Sequence, residues 1–255
     1  MTEPVGALTK RAQRLWSSEW GSATIADMLI AEELLLLLTD DDTGRLVASG
    51  TTVDIALGGA LLVELALAHR VEVDDSDGGN RHGRVVVRDG SLIGDRVLDE
   101  ALATVTRKEG KNPQSVVTAL ARGTRARLYG RLVDAGVLRA ENGRVLGIIP
   151  GRRWPSHDVD HEKGVRRELV AALRRGAAYD VRTGSLIALL SALRVVHTVV
   201  DPVEVGLSKR ELEERASRIA AGDWAADAVR SAIESLMAAI IAASASAAVA
   251  AGSSS

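Results

Sequence analysis

Cysteine is absent from the 255 residues, which excludes both a disulfide framework and a thiolate metal site. Phenylalanine is absent as well, and four Trp and two Tyr are the whole aromatic complement, so aliphatic side chains must build the core. Lysine is scarce: five of the 32 Lys plus Arg residues. Such Arg-heavy, Ala-rich composition is what GC-rich coding produces, as in bacteria of that type. The first residues lack an apolar h-region, so no signal peptide is expected and the chain reads as cytoplasmic. Neither a Gly-rich phosphate loop nor a nucleophile elbow nor a cofactor fingerprint occurs. Nothing therefore motivates an enzyme, a cofactor or a metal.

What the chain does have is leucine and alanine in concentrated runs. Five consecutive leucines, Leu34 to Leu38, would pack on every side of a helical turn. The acidic stretch Asp40-Asp41-Asp42-Thr43-Gly44 then favours a turn. A second helix is expected to start near Thr51, where Thr51 and Asp54 have capping-box spacing. Over 55–68 its only charged residue is Glu64, so it is apolar nearly all round and belongs inside a bundle. It is shorter than the roughly 20 residues of a bilayer span. Gly58 and Gly59 each cost about 1 kcal/mol of helix propensity, which a closely approaching backbone would offset. Glu64 reads either as a desolvated general acid or as a carboxylate paired with an Arg or a helix N-terminus.

Charge is unevenly spread although the formal net charge is only −2. Residues 25–106 hold 16 acidic and 6 basic side chains, a balance of −10; residues 107–175 hold 7 and 16, a balance of +9. That polarity suits either an anionic partner on one face or attraction between the two halves.

Residues 1–23 read as a leader, in which Lys10, Arg11 and Arg14 beside Trp16 and Trp20 suit a membrane surface or a mobile tail. One helical domain is expected over 24–241, followed by an Ala/Ser-rich tail over 242–255. Within it the patterning predicts helices over 25–38, 95–106, 115–121, 124–135, 157–175, 183–200, 207–219 and 225–241. Short strands are expected at 71–73 and 84–87, around a turn at 77–80. A second hairpin is expected to turn at Asn142-Gly143, with strands at 137–139 and 144–149. The fold class is thus mainly α, a helical bundle with short strands and one protruding β-hairpin.

Candidate ligand groups are few. His157 and His161 have the i, i+4 spacing of zinc ligands, a spacing that a solvated helix start shares. Arg122 and Arg125 lie three apart at a helix start, where guanidinium groups, free N–H groups and a positive dipole end suit a phosphate monoester. Solvated arginines are the alternative there. The 124–153 helix and hairpin also fit a winged-helix-like nucleic-acid-binding unit, with Arg139, Arg144, Arg152 and Arg153 reaching phosphates.

LLLLLTDDDTGRL, ALGGALLVELALAHRVEV, GDRVLDEAL and RARLYGRLVDAGVL, in this order and spacing, resemble the Golgi phosphoprotein 3 family. Those are peripheral proteins that bind phosphatidylinositol 4-phosphate, and the resemblance covers roughly 24–200. It implies a central helix bundle wrapped by amphipathic helices, and a peripheral adaptor on anionic phospholipid membranes. It also implies a headgroup site made by a Trp and an Arg near the second core helix plus two Arg three apart. The last two fall on Arg122 and Arg125, whereas Ser49 and Gly58 stand at the first two positions. In the family the hairpin serves oligomer contacts and membrane insertion. Val137, Leu138, Val145, Leu146, Ile148 and Ile149 are the residues here that would do either, or pack on the domain.

Overall fold

The computed structural model describes residues 28–40, 43–74, 83–138, 141–145, 149–153, 159–178 and 180–221, with residues 238 and 241 in addition. Within them the protein is mainly helical, with two antiparallel two-stranded hairpins. The centre is the pair α1 (Ile30–Leu37) and α2 (Gly50–Leu67). All eight residues of α1 are buried, which explains why a run of leucines needs no polar face. The turn between the helices is closed by an isolated bridge of Thr39 to Leu46 and by Val47 N–H donating to the Leu38 carbonyl at 2.9 Å.

Helix α2 starts at Gly50, one residue before the expected Thr51, because Ser49 caps it: its hydroxyl accepts from Thr52 N–H at 3.2 Å. Leu57, Leu61, Leu62 and Leu65 are fully buried, each stabilising by about 1.5–3 kcal/mol on transfer from water. The 18 residues of α2 have a mean hydropathy of 1.5, suited to a membrane span, but 67% of the helix is enclosed by protein. Gly58 has the close neighbour its sequence position predicts. A Cβ there would lie 2.6 Å from the Val117 carbonyl oxygen and 2.8 Å from Ala121 N. Both belong to α4 (Pro113–Ala121), so the glycine is what lets the two helices cross.

Strands β1 (Val71–Asp74) and β2 (Arg84–Val87) pair with Val71 opposite Val87. Helix α3 (Arg96–Thr106) is capped by Asp95, whose carboxylate accepts from Val97 and Leu98 N–H. Helix α5 (Thr124–Asp134) follows α4 after Arg122 and Gly123, the latter at φ 70°, a conformation that favours glycine. Tyr129 on α5 reaches Thr39 at the end of α1, hydroxyl to hydroxyl, at 3.1 Å.

The second hairpin differs from expectation. β3 (Glu141–Val145) and β4 (Ile149–Arg153) pair Glu141 with Arg153 and Val145 with Ile149, so Asn142 and Gly143 lie within a strand and the connection is 146–148. Upstream, Val137 and Leu138 both donate to the Leu132 carbonyl, closing α5, and Leu138 is 3% exposed in the core. By the register, Asn142 and Gly143 are thus placed inside β3 and not at the turn.

The remaining helices are α6 (Val159–Arg175), α7 (Val181–Ala192), α8 (Val196–Val199), α9 (Pro202–Val205) and α10 (Lys209–Ala220). The single helix expected over 183–200 is two, because Arg194 adopts φ 56° and turns the chain. The helix expected over 225–241 lies almost wholly outside the described residues.

Candidate functional site

Three carboxylates meet at the N-terminus of α1. Glu32 accepts from Leu29 N–H at 2.9 Å and lies 3.0 Å from Arg131 Nε of α5. Arg131 also engages Asp95. Glu33 accepts from Arg182 Nε of α7 at 2.7 Å, and His161 Nε2 of α6 is 3.4 Å away. Glu64 of α2 accepts from Ile30 N–H at 2.9 Å. Acidic groups at a helix N-terminus meet free N–H groups and the positive dipole end, so this hub ties α1 to α2, α5, α6 and α7. Burial pushes the Glu64 carboxyl up to about 8, against the Ile30 N–H and Arg182, so at neutral pH it is largely protonated. Burial also raises Glu32, with the Leu29 N–H and Arg131 opposing it. Glu64 is thus both desolvated and paired with a helix N-terminus, so features of the two readings its sequence allowed coexist.

Arg122 and Arg125 have different surroundings. Arg125 Nε is 3.2 Å from Asp54 Oδ1, and its guanidinium lies over the first turn of α2, where a Cβ on Gly50 would stand 2.8 Å from Nη1. Burial raises the Asp54 carboxyl, with Arg125 opposing. Arg122 instead lines a cleft of about 320 Å³ between the C-terminal end of α3 and the start of α5, together with Arg107, Lys108, Arg127, Thr104 and Leu120. No carboxylate is among its lining residues. Sequence spacing does not connect Arg107 and Lys108 with Arg122, which lies more than ten residues on. Only the fold brings them beside Arg122.

A larger basic groove, of about 810 Å³, runs along α6 beside α9, lined by Lys163, Arg166, Arg167, Arg174 and Arg175 with Glu204. Its arginines are largely engaged. Arg166 binds Glu162 at 2.7 Å and the Val199 carbonyl, Arg174 Nε donates to the Glu204 carbonyl at 2.8 Å, and Arg167 Nε donates to the Lys163 carbonyl at 3.2 Å.

Of the two positions where the resemblance implies a Trp and an Arg, Ser49 is the α2 cap and Gly58 is the α2–α4 crossing point. Neither has a side chain free to meet a ligand. Of the hairpin residues, Leu138 is in the core and Val137 packs half-buried against it. Val145 and Ile149 are paired at the loop end, and Leu146 and Ile148 lie outside the described residues. So does His157, while His161 faces Glu33; among the described residues no three His, Cys, Asp or Glu are grouped to hold a metal.

The profile of the family described as Golgi phosphoprotein 3 matches residues 30–236. The chain belongs to the Golgi phosphoprotein 3 family. It is also similar to the vacuolar protein sorting-associated protein 74 of Eremothecium gossypii, 30% identical over 166 residues, which are 57% of this chain and 49% of that protein. The chain spans about half the length of the curated relative it matches.

Proposed function

We propose that this protein is a non-enzymatic peripheral membrane adaptor that docks on anionic phospholipid from the cytoplasmic side. Family membership carries the reading, and the cation-lined cleft around Arg122 supports it. Each Arg or Lys near an anionic leaflet contributes about 1 kcal/mol, so several together, with apolar contact from Val145, Leu146, Ile148 and Ile149 of the second hairpin, would hold the protein reversibly. The same hairpin is the proposed contact for a homo-oligomer. Phosphatidylinositol 4-phosphate is the first headgroup to test, although the family Trp and Arg positions hold Ser49 and Gly58.

Flotation with neutral, anionic and phosphatidylinositol 4-phosphate vesicles tests the reading. Binding to the charged vesicles and not the neutral ones is expected; equal absence from all three would sink it. The nucleic-acid alternative has weaker support. Arg131 of α5 is engaged by Glu32 and Asp95, which takes one of its three arginines away from a groove.

A further inference from the structure

We propose that the basic groove along α6 is a docking surface for a protein partner, an amphipathic helix with acidic residues one heptad apart and apolar residues between them. The inference goes beyond the membrane reading and uses none of its residues. The groove has an order. Lys163, Arg166 and Arg167 form one basic end and Arg174 and Arg175 the other, with Val170 and Ala171 between. Arg167 and Arg174 are seven residues apart on α6, which is about 10.5 Å along a helix axis. Carboxylates at i and i+7 of a second helix have the same separation, and its i+3 and i+4 side chains would meet Val170 and Ala171.

The two ends keep their charge. Arg167 Nε donates to the Lys163 carbonyl at 3.2 Å, and Arg174 Nε donates to the Glu204 carbonyl at 2.8 Å. Neutral carbonyls orient a guanidinium without cancelling it. Arg166 differs, since Glu162 neutralises it at 2.7 Å. Among the lining residues Glu204 of α9 is the one acid against five bases, an imbalance that selects an acidic partner. Gly164 points the same way. It lies inside α6, where glycine is less favourable than alanine, yet among the described residues a Cβ there would meet only Arg167 Nη2, at 4.0 Å. Packing explains Gly58 and does not explain Gly164. By helical position Gly164 stands in the row of Ala171 and Arg175, so bare backbone borders the groove. Glycine at such a place lets another chain lie close, and nothing among the described residues does so.

Other anionic partners fit less well. A bilayer meets cations on a flat or convex face, and these line a groove of about 810 Å³. Nucleic acid would gain little from Val170 and Ala171, and no aromatic side chain lines the groove to stack a base. A helix matches both shape and polarity, with carboxylates toward the two ends and apolar side chains over the middle. Because the charged ends stay at the surface, the contact weakens as salt rises.

The test uses the full chain and a labelled helical peptide with Glu at every seventh position and a Leu pair midway, beside a control peptide with Lys in place of Glu. Fluorescence anisotropy should show binding of the acidic peptide, falling as salt rises, and none of the control. Lys163→Gln with Arg167→Gln should weaken binding about tenfold, as expected for two lost charge-assisted contacts. Gly164→Gln keeps every charge; it should weaken binding about threefold or more while raising the melting temperature, since glutamine favours helix. A merely structural glycine would not give that combination. Lys108→Ala with Arg122→Ala, in the other basic cleft, should bind the peptide within about twofold of wild type. No binding of the acidic peptide by the wild type overturns the proposal. Equal weakening in the Lys108/Arg122 variant overturns it too, because charge anywhere on the surface would then suffice. So does loss of anionic-vesicle flotation in the Gly164 variant, which would give the groove to a membrane.

Discussion

The acidic hub at the start of α1 and the basic cleft beside α3 put charge to opposite uses. In the hub, Arg131 and Arg182 spend their guanidinium groups on Glu32, Asp95 and Glu33, and the result is a junction of five helices. In the cleft, Arg107 and Arg127 are steadied by threonine hydroxyls, and Lys108 and Arg122 are left over. The α6 groove stands between the two: Glu162 pairs with Arg166, while Arg167 and Arg174 are held by neutral backbone carbonyls. What a basic surface can bind is set by which of its cations are already engaged, and a count of charges does not show that.

The sharpest way to break this contrast is to place in the core the arginine that the family resemblance leads one to expect. Gly58→Arg should abolish soluble folded protein, since even a Cβ meets the α4 backbone at 2.6 Å and a charge would be buried without a partner. Circular dichroism and yield after expression check it; a folded variant with improved headgroup affinity would mean that α4 yields easily.

Next in size is Arg182→Ala, which leaves Glu33 buried at 5% exposure without its guanidinium. A loss of about 2–4 kcal/mol in urea unfolding is expected, somewhat under the usual range for a buried pair because Arg182 is 39% exposed. Vesicle binding by the fraction that remains folded should be unchanged.

Glu64→Gln tests the hub through pH. The carboxyl has an ordinary value of 4.5 and is raised to about 8 when folded, so between these the unfolded chain releases a proton that the folded protein keeps. Stability contributed by this group is therefore full below pH 4.5 and falls as pH rises toward 8. Glutamine still accepts from Ile30 N–H, so the variant should gain on wild type by about 1–2 kcal/mol at pH 8 and match it at pH 4. Parallel melting curves across that range would refute it.

The smallest stability effect should come from the cleft. Lys108→Ala with Arg122→Ala touches only exposed side chains and should stay within about 0.5 kcal/mol of wild type, with loss of vesicle binding as its sole large phenotype.

Much of the architecture was legible because it is local. The leucine run, the glycine pair and the single carboxylate of α2 predict a buried helical pair, a close backbone neighbour at the glycines, met at Gly58, and a Glu64 either desolvated or paired. Asp95, just before the apolar spacing of α3, marks that helix start to within one residue. The hub was not legible, since Arg182 is 149 residues from Glu33, and periodicity carries no information across that distance. The second hairpin was misread for a related reason. Asn142-Gly143 is a genuine turn signal, but the pairing of Glu141 with Arg153 and Val145 with Ile149 sets a register in which both residues lie within the strand. Arg122 and Arg125 were paired by their spacing and by the family resemblance; the fold sets one at the cleft and the other beside Asp54, which spacing does not show.

The glycine at position 58 has a consequence for comparing relatives. Its neighbours across the crossing are backbone atoms of Val117 and Ala121, so the residue at position 58 limits one interhelix distance whatever side chains α4 carries. Among family members, a large residue at position 58 should be accompanied by a displaced or reshaped α4. An aligned column that alternates between arginine and glycine would then record how far apart two helices stand, and ligand preference would follow from that spacing.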